Sequence, residues 1–245
     1  MKRKILICLL IVNFSFTNIY ASKFRFIFSP QTKETLSESS SDSETGSIYF
    51  DTKGHWCDYS AMRLYEEGIF TGLKIGNNYY FGPDEQITRG EFLLYISAVL
   101  GTENKSSGYL PFEDSDLIPT WQRSAVTSMF NAGIIHGNSE NGKLYFNCDE
   151  GITRIEAAQI LNNILNLDSE FKQTDYSDSY LIPKYASGPV KNVTDYGLMR
   201  GYDDKSFRPY IRITRAMLSD ILCNLKDYCE KEPLTVQRIK NTERK

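Results

Sequence analysis

Histidine is nearly absent from this sequence. His55 and His136 are the two in 245 residues, which leaves little room for histidine-based catalysis or a multi-histidine metal site. Cysteine is sparse as well: five residues with no Cys-x-x-Cys pair, so no zinc site is expected. Basic charge falls short of acidic, with 28 Lys and Arg against 31 Asp and Glu and a net charge of −3. Such a balance lacks the basic footprint that nucleic-acid binding requires. Beyond the leader there is no apolar run of about 20 residues, which excludes a multi-span membrane protein.

The amino terminus has the order of a secretory signal peptide. Met1-Lys2-Arg3-Lys4 supplies the positive start, Ile5 to Val12 the short apolar core, and Ala21 the small residue at the cut. Residues 1–21 are therefore expected to be removed, with an uncleaved amino-terminal anchor as the alternative. Without the three basic residues of this leader, 25 cationic side chains face 31 acids, a charge of −6. No membrane span is expected after cleavage. Four cysteines remain, Cys57, Cys148, Cys223 and Cys229. They allow three pairings among which sequence cannot choose. Cys57 and Cys223 fall in predicted helices and read as small buried residues.

Residues 22–48 read as a linker. Their stretch 31–47 is Ser-rich and acidic with one apolar side chain, too little to offset the entropy of ordering. Residues 229–245 are charged and aperiodic and read as a tail. Between them the sequence repeats three times, at 49–111, 112–175 and 176–228. Tyr49-x-Asp51, Phe112-x-Asp114 and Tyr176-x-Asp178 open the segments at nearly equal intervals. Trp56, Trp121 and Tyr185 follow. At one shared distance after each comes a glycine, Gly68, Gly133 or Gly197, that begins Gly-[Ile/Leu]-x-x-Gly. Then Phe81, Phe146 or Phe207 precedes, again at one shared distance, Ile-Thr-Arg at 87–89, 152–154 and 213–215.

Each segment reads as two helices joined by a loop, so the expected class is all-α. The first helix ends at Gly68, Gly133 or Gly197, which suit the left-handed position after a helix. In the third segment Pro189 is placed at the first helical position, which starts that helix late. The second helix begins at Ile-Thr-Arg. Thr88-x-x-Glu91 and Thr153-x-x-Glu156 are capping boxes, which accounts for the two glutamates without catalysis. The third segment has Met217 at the glutamate position.

In order and spacing these motifs resemble the S-layer homology domain in three copies. The first copy matches most fully, through Asp51, Gly54-His55-Trp56, Gly68-Ile69, Phe81-Gly82-Pro83 and Ile87-Thr88-Arg89-Gly90-Glu91. The second has Cys148 in place of the proline. The third has Tyr185 for Trp and Met217 for Glu. The resemblance implies three units in pseudo-threefold array around a central helical bundle. It implies a non-enzymatic, secreted, cell-wall-anchoring role without cofactor or metal, gripping a secondary cell-wall polysaccharide attached to peptidoglycan, typically with pyruvate ketals. Contacts to other surface proteins are the alternative.

Three sets of residues are candidates for the ligand. Arg89, Arg154 and Arg215 each stand at the first position of a helix, where a cation is mildly unfavourable. Each is expected to have an acidic partner, which is either a ketal carboxylate held by two parallel hydrogen bonds or an ion pair to Asp51, Asp114 or Asp178. Trp56, Trp121 and Tyr185 are either stacking faces for sugars or core plugs. Asp51, Asp114 and Asp178 accept sugar hydroxyls, cap a turn or orient the arginines.

Overall fold

A computed structural model describes residues 47–102 and 108–232. The signal peptide expected at 1–21 and the linker expected at 22–48, apart from Ser47 and Ile48, lie outside the described residues. The chain divides into two compact units between Phe81 and Gly82, inside the first of the three expected segments. Six helices dominate the described residues, with two short antiparallel hairpins. No described helix is long and apolar enough to cross a membrane.

The first unit holds helix α1 (Asp58–Glu66) and the hairpin β1 (Leu73–Ile75) and β2 (Asn78–Tyr80). Ser60, Ala61 and Leu64 form the buried face of α1, at the three- and four-residue spacing of one helical side. The helix ends in a Schellman motif. Gly68 takes φ 71°, and the Gly68 and Ile69 amides donate to the Tyr65 and Leu64 carbonyls. Tyr49, Phe70 and Phe81 form the core of this unit, with the Tyr49 and Phe70 ring centroids 5.2 and 5.1 Å from that of Phe81. Gly72 lets the Tyr49 ring pass, since a Cβ there would lie 2.4 Å from it.

The second unit contains α2 (Arg89–Leu100), α3 (Thr120–Asn131), β3 (Asn138–Glu140), β4 (Lys143–Tyr145), α4 (Arg154–Leu165), α5 (Lys184–Asp195) and α6 (Arg215–Lys231). Helix α2 packs on α3 and α6, and α4 packs on α5. Most of α2 is buried, including Phe92, Leu93, Leu94, Tyr95, Ile96 and Leu100, as suits an inner helix apolar on every side. Both capping boxes form, at Thr88 with Glu91 and at Thr153 with Glu156. At α6 only half forms, with the Thr214 hydroxyl accepting from the Met217 amide at 3.3 Å. The expected Schellman ends recur at Gly133 and Gly197.

Three features depart from the sequence reading. The loops after Gly72 and Gly137 are hairpins. The second turns through Asn141 and Gly142, both at positive φ, the pair that a two-residue turn matching strand twist demands. Pro189 lies inside α5, which starts at Lys184 after Pro183. The Ile182-Pro183 step repeats Ile118-Pro119 ahead of α3, so this earlier proline sets the start. Pro189 then costs one helical hydrogen bond, that to the Tyr185 carbonyl. Finally, α6 runs on to Lys231, past the tail boundary expected at 229, because Cys229 is buried against the fold. Residues 233–245 lie outside the described residues.

The four cysteines are all buried, although Cys57 precedes α1 rather than lying within it. The Cys148 thiol donates to Gln122 Oε1 at 2.6 Å, and burial pushes its pKa up to about 12. Iodoacetamide at pH 8 should therefore leave Cys148 unmodified in the folded protein and alkylate it in denaturant. Mass spectrometry reads the difference, and an adduct on the native protein would contradict this environment.

Candidate functional site

The three Ile-Thr-Arg segments meet in a closed ring of backbone hydrogen bonds. The Ile87 amide donates to the Ile213 carbonyl at 3.0 Å, Ile213 to Ile152 at 2.8 Å, and Ile152 back to Ile87 at 3.0 Å. The helix starts follow in one register. The amides of Arg89, Arg154 and Arg215 donate to the carbonyls of Glu150, Ile211 and Glu85. Those of Gly90, Ile155 and Ala216 donate to Cys148, Pro209 and Pro83. Amides that a helix leaves unpaired at its start are thus satisfied by the stretch leading into the next helix of the ring. Each arginine is held beside that stretch.

The arginines differ in what they meet there. Arg89 is 7% exposed. Its Nη1 donates to Glu156 Oε1 at 3.1 Å, and its guanidinium lies over the Phe146 ring. Burial pushes its pKa down, with Glu156 opposing. Arg215 pairs with Glu85. Arg154 is 5% exposed and contacts no carboxylate among the described residues. Its Nε donates to the Phe207 carbonyl at 2.8 Å and its Nη2 to the Arg200 carbonyl at 2.6 Å. Its guanidinium lies 4.6 Å from the Phe207 ring centre and 5.2 Å from that of Tyr202. Burial lowers its pKa, with Tyr202 the largest opposing influence. Three of the five N–H donors of Arg154 remain open to another acceptor.

Among the described residues Asp114 and Asp178 form no ion pair with these arginines, and all three aspartates hold backbone. Asp51 accepts the Phe81 amide at 2.8 Å. Asp114 accepts the amides of Phe146 and Asn147 at 2.8 and 2.7 Å. Asp178 accepts those of Phe207 and Arg208, both at 2.7 Å. In the last case the aspartate does orient an arginine, at one remove. Phe207, whose amide it holds, presents its carbonyl to Arg154. Trp56 and Tyr185 are not core plugs, being 61% and 63% exposed. Trp121 is half-buried near the start of α3.

Sequence reasoning missed Glu85 and the second task of Glu156. It also missed the loop around Arg154. There Tyr202 lies under the Arg208 guanidinium, 3.9 Å from ring centre, and its hydroxyl is sealed from solvent with no partner among the described residues. Arg208 is fixed by Asp204 at 2.9 Å and Ser206 at 3.1 Å. Hydrogen bonds from Ser206 and Arg208 hold the Asp204 carboxyl well below the usual range. A hint lay in the Tyr-Asp-Asp-Lys-Ser-Phe-Arg run at 202–208, where short polar residues that favour turns stand between an aromatic and an arginine.

Comparison with known proteins gives a family match in two segments. Residues 49–93 and 175–216 match the S-layer homology domain, which is a cell-wall and cell-surface anchoring module. An endoglucanase from Bacillus sp. (strain KSM-635) is 29% identical over 81% of the chain and 20% of its own length. Cell surface glycoprotein 1 of Acetivibrio thermocellus is 25% identical over 56% of the chain and 6% of its own length. The surface-layer 125 kDa protein of Lysinibacillus sphaericus is 28% identical over 51% and 10%. The chain therefore spans a fifth or less of these relatives. The match indicates a location at the cell surface or cell wall.

Proposed function

We propose that this protein is a non-catalytic anchor that holds to the bacterial cell wall by gripping an acidic wall polysaccharide, with three S-layer homology units where two segments match. The cyclic register of the Ile-Thr-Arg segments supports counting the middle segment, 112–175, as the third unit. The observation that carries the reading is Arg154. A guanidinium sunk among carbonyls and aromatic rings, with no carboxylate partner among the described residues, offers a charge-assisted fork to an incoming acid. A pyruvate ketal on an amino sugar supplies a carboxylate fixed on a rigid ring. Exposed Trp56 and Tyr185, each in its own segment, are flat faces suited to sugars. Glu91 and Glu156 are committed to helix caps, which favours anchoring over glycoside hydrolysis.

Purified walls should retain the protein and lose it after acid extraction of the wall polymer. Arg154→Gln should weaken wall binding at least about tenfold, because a charged hydrogen bond is worth about 1.5–3 kcal/mol. Arg215→Gln should weaken it less, since Glu85 already partners that side chain. Undiminished binding to extracted walls would point instead to protein neighbours. Equal binding by the Arg154 variant would overturn the site.

A further inference from the structure

Arg154, which contacts no carboxylate among the described residues, differs from Arg89 in what one position on another helix carries. In the ring, Arg89 stands against the stretch that leads into α4, and Arg154 stands in the same register against the stretch that leads into α6. Two residues beyond the arginine of α4 is Glu156, and two residues beyond the arginine of α6 is Met217. Glu156 divides its carboxylate between two tasks. Oε2 accepts the Thr153 amide at 2.8 Å and its hydroxyl at 2.6 Å, while Oε1 takes Arg89 Nη1. Met217 performs neither. The other half of the cap, the Thr214 hydroxyl on the Met217 amide, is kept. Position 217 is half-buried, and its thioether carries no charge.

We infer that Met217 is the residue that keeps the Arg154 site open, so that this one guanidinium of the ring is reserved for an acidic ligand rather than neutralised from within. The inference rests on the proposed glycan reading for the nature of the ligand. The charge relation itself belongs to the fold. Arg89, closed by Glu156, is then chiefly structural, and the three arginines are not interchangeable binding sites. A glutamate at 217 would complete the capping box with one oxygen and close the site with the other. A glutamine would cap as well but bring no charge.

The test uses the parent chain, Met217→Glu and Met217→Gln. The probe is a pyruvate-ketal N-acetylhexosamine glycoside, with its isopropylidene analogue, which lacks only the carboxylate, as control. Titration calorimetry should show the parent and Met217→Gln binding the acid within about twofold of each other, and Met217→Glu at least about tenfold weaker. Both substitutions should raise the melting temperature. A thermal double-mutant cycle of Met217→Glu with Arg154→Gln should give non-additive shifts, which reports the new ion pair without any ligand. Additive shifts, or undiminished acid binding by Met217→Glu, would overturn the role of Met217. A parent that fails to prefer the acid over its analogue, together with non-additive shifts, would overturn the glycan reading and leave the charge relation standing.

Discussion

Glu156→Ala should destabilise the second unit by about 3 kcal/mol, lowering its melting temperature by roughly 10 °C. Two losses combine. Removing the partner of a helix N-cap costs about 0.5–2 kcal/mol. Stripping Arg89 of its counter-charge leaves a guanidinium that is 7% exposed to face burial alone, and breaking a buried pair from one side costs about 3–5 kcal/mol. The Glu156 side chain is 29% exposed, so water entering its place relieves part of the second loss. Adding Arg89→Met should recover the electrostatic part and leave the cap part. Urea denaturation of the two variants separates them. A Glu156→Ala loss no larger than that of an exposed ion pair, about 0.5 kcal/mol, would mean that Arg89 is solvated and that its pairing is incidental.

That prediction could not have been framed from sequence. The capping boxes were legible because hydroxyl and carboxylate lie three residues apart on one helix, where local geometry decides the contact. Gly68, Gly133 and Gly197 were legible for the same reason. Partners of the arginines were not. They depend on a ring that joins Ile87, Ile152 and Ile213, each a whole repeat away from the next, and the register of that ring has no local signature. Hairpins of three-residue strands are too short to show an alternating pattern, although Asn141-Gly142 marked one turn. Pro189 misled because its cost is one hydrogen bond, which a helix packed through Ala186, Val190 and Val193 absorbs. The exposure of Trp56 and Tyr185 was open for a related reason: an aromatic at a helix start faces inward or outward according to what packs above it.

The ring also explains why a chain of short, separated segments holds one set of side chains in fixed relation. Each helix start in it donates its first two amides to the stretch before another helix, so no Ile-Thr-Arg segment is satisfied without the others. The arrangement makes position 154 sensitive to residues far along the chain. The Arg154 side chain is aimed by carbonyls at 200 and 207, and those carbonyls are aimed by a turn that contains no regular structure.

Asp178→Asn tests that dependence and should cost both stability and binding. Asp178 is 9% exposed, and its two oxygens accept the amides of Phe207 and Arg208. Arg208 sits at φ 54°, a conformation that costs a non-glycine residue roughly 1–2 kcal/mol, so the carboxylate clamps a strained turn. Asparagine has one acceptor oxygen and turns its NH2 toward the second amide, setting donor against donor. Hydrogen bonds to a charged group are worth about 1.5–3 kcal/mol, so a loss of about 2–3 kcal/mol is expected. Relaxation of the turn would also move the Phe207 carbonyl off Arg154 Nε and swing the Phe207 ring away from the guanidinium. Affinity for walls should then fall by about tenfold at temperatures where the variant remains folded, although Asp178 itself contacts no ligand in this account. Asp114→Asn makes the same chemical change at the Phe146 turn, beside the closed Arg89 site, and should lower stability while leaving wall affinity near that of the parent. Equal affinity losses for the two variants would show that the grip is shared between the Phe146 and Phe207 turns rather than concentrated at Arg154.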